Sequence, residues 1–187
     1  MKKILLIASA AILSLTAMAQ PKFAHVNTTE LVQLMPEMDE ARNTMAAAQQ
    51  EATETYQAMV EEFNTKVNQY QAKGTTWTAA IREAKEKEIT DLRTRIEEYS
   101  QNVQAELQQQ EQQLMAPIYQ KANDTVQKLA KEGNFVYVFD VNSLLYVDAT
   151  QSTDLTPAAR KALNIAEGRT LESLQAELQA KAAAAQQ

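Results

Sequence analysis

The chain has 187 residues, with 24 acidic and 18 basic side chains, one His, no Cys and three Gly. Without thiols there can be no disulfide framework, Cys-ligated zinc, iron–sulfur cluster or Cys nucleophile, and one His cannot build a multi-His metal site. Three Gly are too few for most phosphate-cradling loops, and a net charge of −6 offers nucleic acid no overall attraction.

Met1-Lys2-Lys3 is a basic start, Ile4 to Leu15 is an apolar run broken only by Ser, and Ala17-Met18-Ala19 is a small-x-small site. This reads as a secretory signal peptide over residues 1–19, cleaved after Ala19. The apolar run is shorter than the roughly 18–20 residues that span a bilayer. Loss of Lys2 and Lys3 takes the net charge to −8. Of the 70 hydrophobic residues after Ala19, 26 are Ala, so large apolar side chains are thin for one compact globule and typical of long exposed helices.

Lys22-Phe23-Ala24-His25-Val26 reads as a strand, and Asn27 with Glu30 three residues on reads as a capping box opening a brief helix. His25 in that strand is expected to be a packed core or interface residue. Pro36 suits the first turn of a longer helix. From Pro36 to Ala72 apolar residues fall on lines eleven apart: Met45, Tyr56, Val67; Ala48, Met59, Tyr70; Ala41, Ala52, Phe63. From Thr76 to Lys131 the lines are Ile81, Leu92, Val103, Leu114 and Ile96, Leu107, Ile118, Leu129. Eleven residues over three turns keeps such stripes nearly straight. Two matching stripes joined at Gly74 predict an antiparallel helical hairpin over residues 36–131, its tip near 73–77. Pro117 is expected to kink the second helix, as a hinge near the arm base or as a fixed bend.

After Gly133 the pattern turns extended. Phe135-Val136-Tyr137-Val138-Phe139 and Leu144-Leu145-Tyr146-Val147 read as two strands around a turn at Asp140, Asn142 and Ser143. Thr156-Pro157 reads as cap and first residue of a short helix, and residues 166–187, rich in Ala and Gln, as a flexible tail. The fold class is thus α+β, mostly α: a long hairpin projecting from a small β body of residues 20–35 and 132–165. Two or three strands are marginal alone, so the body is expected to be completed by other copies through Phe23, Val26, Phe135, Tyr137, Phe139, Leu145 and Val147.

Adjacent carboxylates such as Glu61-Glu62 and Glu97-Glu98 diverge on a helix, and no nucleophile and base stand together, so no enzyme, metal or cofactor is expected. Adaptable Met and aromatic side chains on projecting arms instead suit loose cover of apolar segments. Met59, Phe63, Tyr70 and Trp77 are the candidate contacts, with a local staple across the hairpin turn as the other reading of Trp77. A tether that binds one folded partner is the alternative.

The order of these parts resembles the Skp/OmpH family of periplasmic chaperones. The resemblance runs from Phe23-Ala24-His25-Val26-Asn27 through Met35-Pro36-Glu37-Met38, Pro117-Ile118-Tyr119-Gln120-Lys121 and Asn134 to Asp140, to Asp154-Leu155-Thr156-Pro157. It implies a homotrimer with three hairpins around a cavity. It also implies an ATP-independent holdase that keeps unfolded outer-membrane proteins soluble in the periplasm. The charge departs from the family: well-known members are basic, whereas residues 36–72 hold seven acids and two bases. That weakens electrostatic capture of acidic clients or of an anionic membrane surface.

Overall fold

The computed structural model describes residues 21–184. The signal-peptide segment 1–19 lies outside them. Strand β1 (Lys22–Val26) leads into α1 (Thr28–Leu34), then α2 (Pro36–Lys73) and α3 (Ala79–Glu132) form the hairpin. Strand β2 (Phe135–Asp140), strand β3 (Ser152–Asp154), α4 (Thr156–Ala162) and α5 (Leu171–Ala184) complete the chain. At about 1.5 Å per residue, α2 and α3 are about 57 and 81 Å long.

The hairpin is antiparallel, and its cross-links pair in reverse order about the turn. Lys121 meets Glu37 at the root, the Tyr99 hydroxyl donates to the Ala52 carbonyl at 3.2 Å, and Lys66 meets Glu88 at 3.1 Å near the tip. Of the eleven-residue lines, only Tyr56 and Ile81 are exposed; the others are buried or half-buried. The seam is shallow, however. Between Arg42 and Pro117 only Gly74 and Leu92 are buried.

Local chemistry sets each boundary. Pro36 opens α2, with Glu37 and Asp39 in its positive first turn, and Lys73 sits in its last turn. Thr78 caps α3 through its hydroxyl and Ile81 N–H. Gly133 closes α3 in an ordinary helical conformation. A methyl group there would come within 2.2 Å of the Phe135 ring, so glycine is needed for space. Asn134 carries the left-handed turn at φ 55°, which Asn tolerates.

The core lies at the arm root. Ala24 and Val26 of β1 pack with Leu31, Leu34, Met35 and Met38, with Ile118, Ala122 and Val126 of α3, and with Ala159, Leu163 and Leu174. The sheet is parallel in the order β2-β1-β3. A bulge between Lys22 and Phe23 lets Lys22 pair with Phe135 but Phe23 with Tyr137, so Val136 is the extra residue. That one-residue slip turns Phe135 and Val138 toward the core and Tyr137 and Phe139 away from it.

Several expectations are corrected. Residues 144–147 are not a strand; the edge of β1 is taken by Ser152–Asp154, fastened by the Leu155 N–H to the His25 carbonyl at 2.9 Å. Asn27 does cap α1 by accepting from Glu30 N–H at 3.0 Å, but Glu30 does not reach back. Its carboxylate pairs with Arg160, and Asn27 N–H donates to the Thr156 hydroxyl at 3.0 Å. Thr156 is therefore inside α4 rather than its cap, and Asp154 receives its N–H at 2.8 Å. Finally, the tail is folded over 171–184. Thr170 and Ser173 exchange side-chain to backbone hydrogen bonds at 3.0 and 3.1 Å, a capping box that starts α5, and Leu174 is buried. Helix propensity became a fixed helix once one leucine had a core to enter.

Candidate functional site

Two surfaces stand out, one on the arm and one on the sheet. On the arm, α2 and α3 part enough to leave a groove of about 610 Å³ lined by Met45, Tyr56, Tyr99, Val103 and Leu107 with polar Gln between them. Tyr56 is 42% exposed at its rim. A loose groove with polarizable and aromatic walls can accept apolar side chains of varied shape.

The sequence-predicted arm residues occupy different positions. Met59 and Phe63 are half-buried in the seam, and neither stands free in solution. Tyr70 and Trp77 are half-buried at the tip, in edge-to-face contact. The tip is laced by charge as well. Lys66 hydrogen-bonds Glu88, which raises the Lys66 pKa above its ordinary value. Hydrogen bonds from Lys85 and Lys66 hold Glu88 below its ordinary value. The Tyr70 hydroxyl donates to Glu86, and this raises the tyrosine. Such exposed pairs fix register more than they add stability. Tyr56 and Ile81 were not singled out as contacts, although both lie on the eleven-residue lines and both are exposed.

Pro117 lies within α3, exposed, beside a gap of about 310 Å³ between the helices that Glu37, Ala41, Leu114, Ile118 and Lys121 also line. The Lys121 ammonium, hydrogen-bonded to Glu37, lowers the Glu37 pKa; burial opposes this.

The second surface is the open face of the sheet. Phe23 stacks on Tyr137 with ring centroids 6.3 Å apart and planes 4° from parallel, and Tyr137 leans on Phe139 at 6.0 Å. These rings are 36 to 59% exposed. His25 follows Phe23 on this face and shares its Nδ1 with the Ser152 hydroxyl at 2.8 Å. In the segment that follows β2, Leu145 is fully exposed and Tyr146 nearly so, while Val147 is half-buried. Val26 and Phe135, grouped with these residues by sequence, face the protomer's own core. The three aromatic rings form an exposed apolar patch of the kind that marks an association surface.

Among the described residues no group of His, Asp and Glu could hold a metal ion, and no helix is long and apolar enough to cross a membrane.

The family model described as outer membrane protein (OmpH-like) matches residues 22–163. A crystal structure of an OmpH-like protein from Caulobacter crescentus, proposed there as an outer membrane chaperone, is similar with a TM-score of 0.67 at 16% identity. The likeness covers 78% of this chain and 85% of that one. It is a likeness of fold. No curated protein matches the chain. Helix α5 lies beyond the matched residues.

Proposed function

Because the chain belongs to the OmpH-like outer membrane protein family, we propose that it is a periplasmic chaperone: an ATP-independent holdase that keeps unfolded outer-membrane proteins from aggregating in transit. The observation that carries this reading is the shallowness of the arm. Two helices of 38 and 54 residues project from a small core, and beyond the root only Leu92 and Gly74 are buried. Beyond the root their Met and aromatic residues are half-covered, Tyr56 more exposed, so they are available without forming a single fixed interface. A tether that recognises one folded surface gains from rigid, well-packed anchors, which this arm lacks.

Copies of the chain assemble through the open sheet face, where Phe23, Tyr137 and Phe139 of one protomer meet their equivalents and the 144–147 segment of another. Resemblance to the family supports a count of three. The arms then surround a shared space, and the chain's acidic charge keeps the space from attracting anionic membrane; clients are held by apolar contact instead.

The test is to dilute a urea-unfolded outer-membrane barrel into buffer with and without the purified chain and follow light scattering. Suppression at one oligomer per client, repeated with unrelated barrels, is expected. A chain that leaves scattering unchanged for every barrel refutes the reading.

A further inference from the structure

Helix α5 is an odd element on this molecule. It lies beyond the family-matched segment, and of its fourteen residues only Leu174 is buried. Leu171 and Leu178 are each 41% exposed, and most of its other positions are Ala, Gln or Glu. It is clasped at its start by Arg169, which bonds Asp39 of α2 at 2.7 Å, and farther on by Lys181 against Asn43 at 3.4 Å. The clasp is imperfect, because the buried Arg169 Nε has no hydrogen-bond partner. Below the helix a cavity of about 370 Å³ remains, lined by Met38, Ala41, Met45, Leu114, Met115 and Leu178. Leu178 of α5 thus reaches a groove that is methionine-rich and incompletely filled, its apolar walls interrupted by Gln33, Arg42, Gln49 and Glu111. The groove opens beside the arm root, next to the seam of α2 and α3.

We propose that α5 is a displaceable strap, occupying a groove that also receives the large apolar side chains of an unfolded client, so that client binding and α5 docking compete. The proposal rests on the holdase reading. The groove's occupant is defined by what already sits there: a leucine carried on a weakly held segment, beside space for a larger group. Methionine walls adapt to either guest. Competition lowers the apparent affinity by the fraction of molecules whose groove is free, and releases the client when α5 re-docks.

Binding of a urea-unfolded, dye-labelled outer-membrane barrel to the full mature chain tests it with two variants of opposite sign. Leu174→Ser loosens the strap and is expected to tighten binding about five- to tenfold, the relief due if the groove is free in about 10–20% of molecules. Leu178→Phe fills the cavity, tightens the strap and is expected to weaken binding. Hydrogen exchange at residues 171–184 of the unmutated chain is expected to speed up when client is added. If the unmutated chain binds client and Leu178→Phe changes nothing, or if α5 stays protected under client, the strap is refuted while the holdase reading stands. If Leu174→Ser does not fold, Leu178→Phe and the exchange measurement decide alone. A chain that binds no barrel removes both proposals, and the light-scattering assay reports that separately.

Discussion

Trp77 meets Tyr70 edge-to-face, their ring centroids 5.9 Å apart and their planes at 69°. The contact spans the reversal of the hairpin, since Tyr70 lies in the last turn of α2 and Trp77 precedes α3. Tyr70 is also held by its hydrogen bond to Glu86, and its ring covers Gly74 so that a Cβ there would stand 3.7 Å from it. The tip is therefore stapled by its own residues, and a large ring at the end of the arm is half-covered without any partner.

Trp77 is the only tryptophan in the sequence, so its fluorescence reads the tip. Tyr70→Ala should red-shift the emission while far-ultraviolet circular dichroism stays unchanged, because the arm's helices do not depend on the staple. Unchanged emission would mean that Trp77 is covered by something other than Tyr70.

Much of this architecture was legible because helix periodicity is a local property. Met45, Val67, Leu92 and Leu107 declare the seam, and Gly74 and Gly133 declare its ends. The sheet was less legible. Phe135, Tyr137 and Phe139 share a face under strict alternation, but the bulge at Val136 sends Phe135 inward and the other two outward, and nothing in the composition of the strand marks it. Leu144–Val147 looks more strand-like than Ser152–Asp154, yet the latter pairs with β1, because strand formation depends on a partner's edge. Client contacts were harder still. Exposure at Tyr56 depends on how far two helices diverge, which is a tertiary quantity.

The open sheet face leads to a prediction about assembly. Phe139→Asp places a charge among Tyr137 and Phe23 of the same protomer and, in the proposed oligomer, against the next one. Phe139 is 43% exposed and outside the core cluster, so the protomer should still fold. Sedimentation is expected to give the oligomer for the unmutated chain and a single-chain mass for the variant. Retention of the oligomer would place the interface elsewhere.

Acid sensitivity follows from Asp140. Burial alone would raise its pKa, but donation from the Thr28 hydroxyl and from the Asn142 backbone and side chain outweighs it and leaves the group below its ordinary 3.8. A carboxylate depressed in the folded state stabilises the fold above its unfolded pKa, and that contribution is lost as pH falls through the folded value. Thr28→Val removes a donor to the ionised form. Its Tm should sit below that of the unmutated chain at pH 6–7, by an amount equivalent to about 1 kcal/mol. The gap should close once the pH is well below 3.8. A gap that persists in acid would assign the loss to packing of the new side chain.

Gly133→Ala isolates a steric requirement. The backbone there suits any residue, at φ −80° and ψ −6°, but the added methyl would overlap the Phe135 ring at 2.2 and 2.6 Å. Overpacking of this kind costs about 1–3 kcal/mol. The double variant Gly133→Ala, Phe135→Ala should recover part of that loss relative to the sum of the singles, because the clashing ring is gone. Additive denaturation midpoints would show that the ring moves aside without cost.

Pro117 divides the arm into two physical regimes. Toward the core, Ile118, Ala122 and Val126 are buried; toward the tip, burial is absent until Leu92. Helix α3 runs through the proline without interruption, although the ring cannot donate to the Gln113 carbonyl and crowds it. The weakest backbone thus lies where a rooted segment becomes a free one, which is where bending would swing most of the arm. Pro117→Ala restores a donor and should raise stability by up to about 3 kcal/mol. As a hinge variant, it should also narrow the spread of arm separations in small-angle scattering. Large clients should be held less well, with small ones held as before. If stability rises while scattering and client range stay unchanged, the proline is a fixed bend, and accommodation of different clients must come from the half-covered seam.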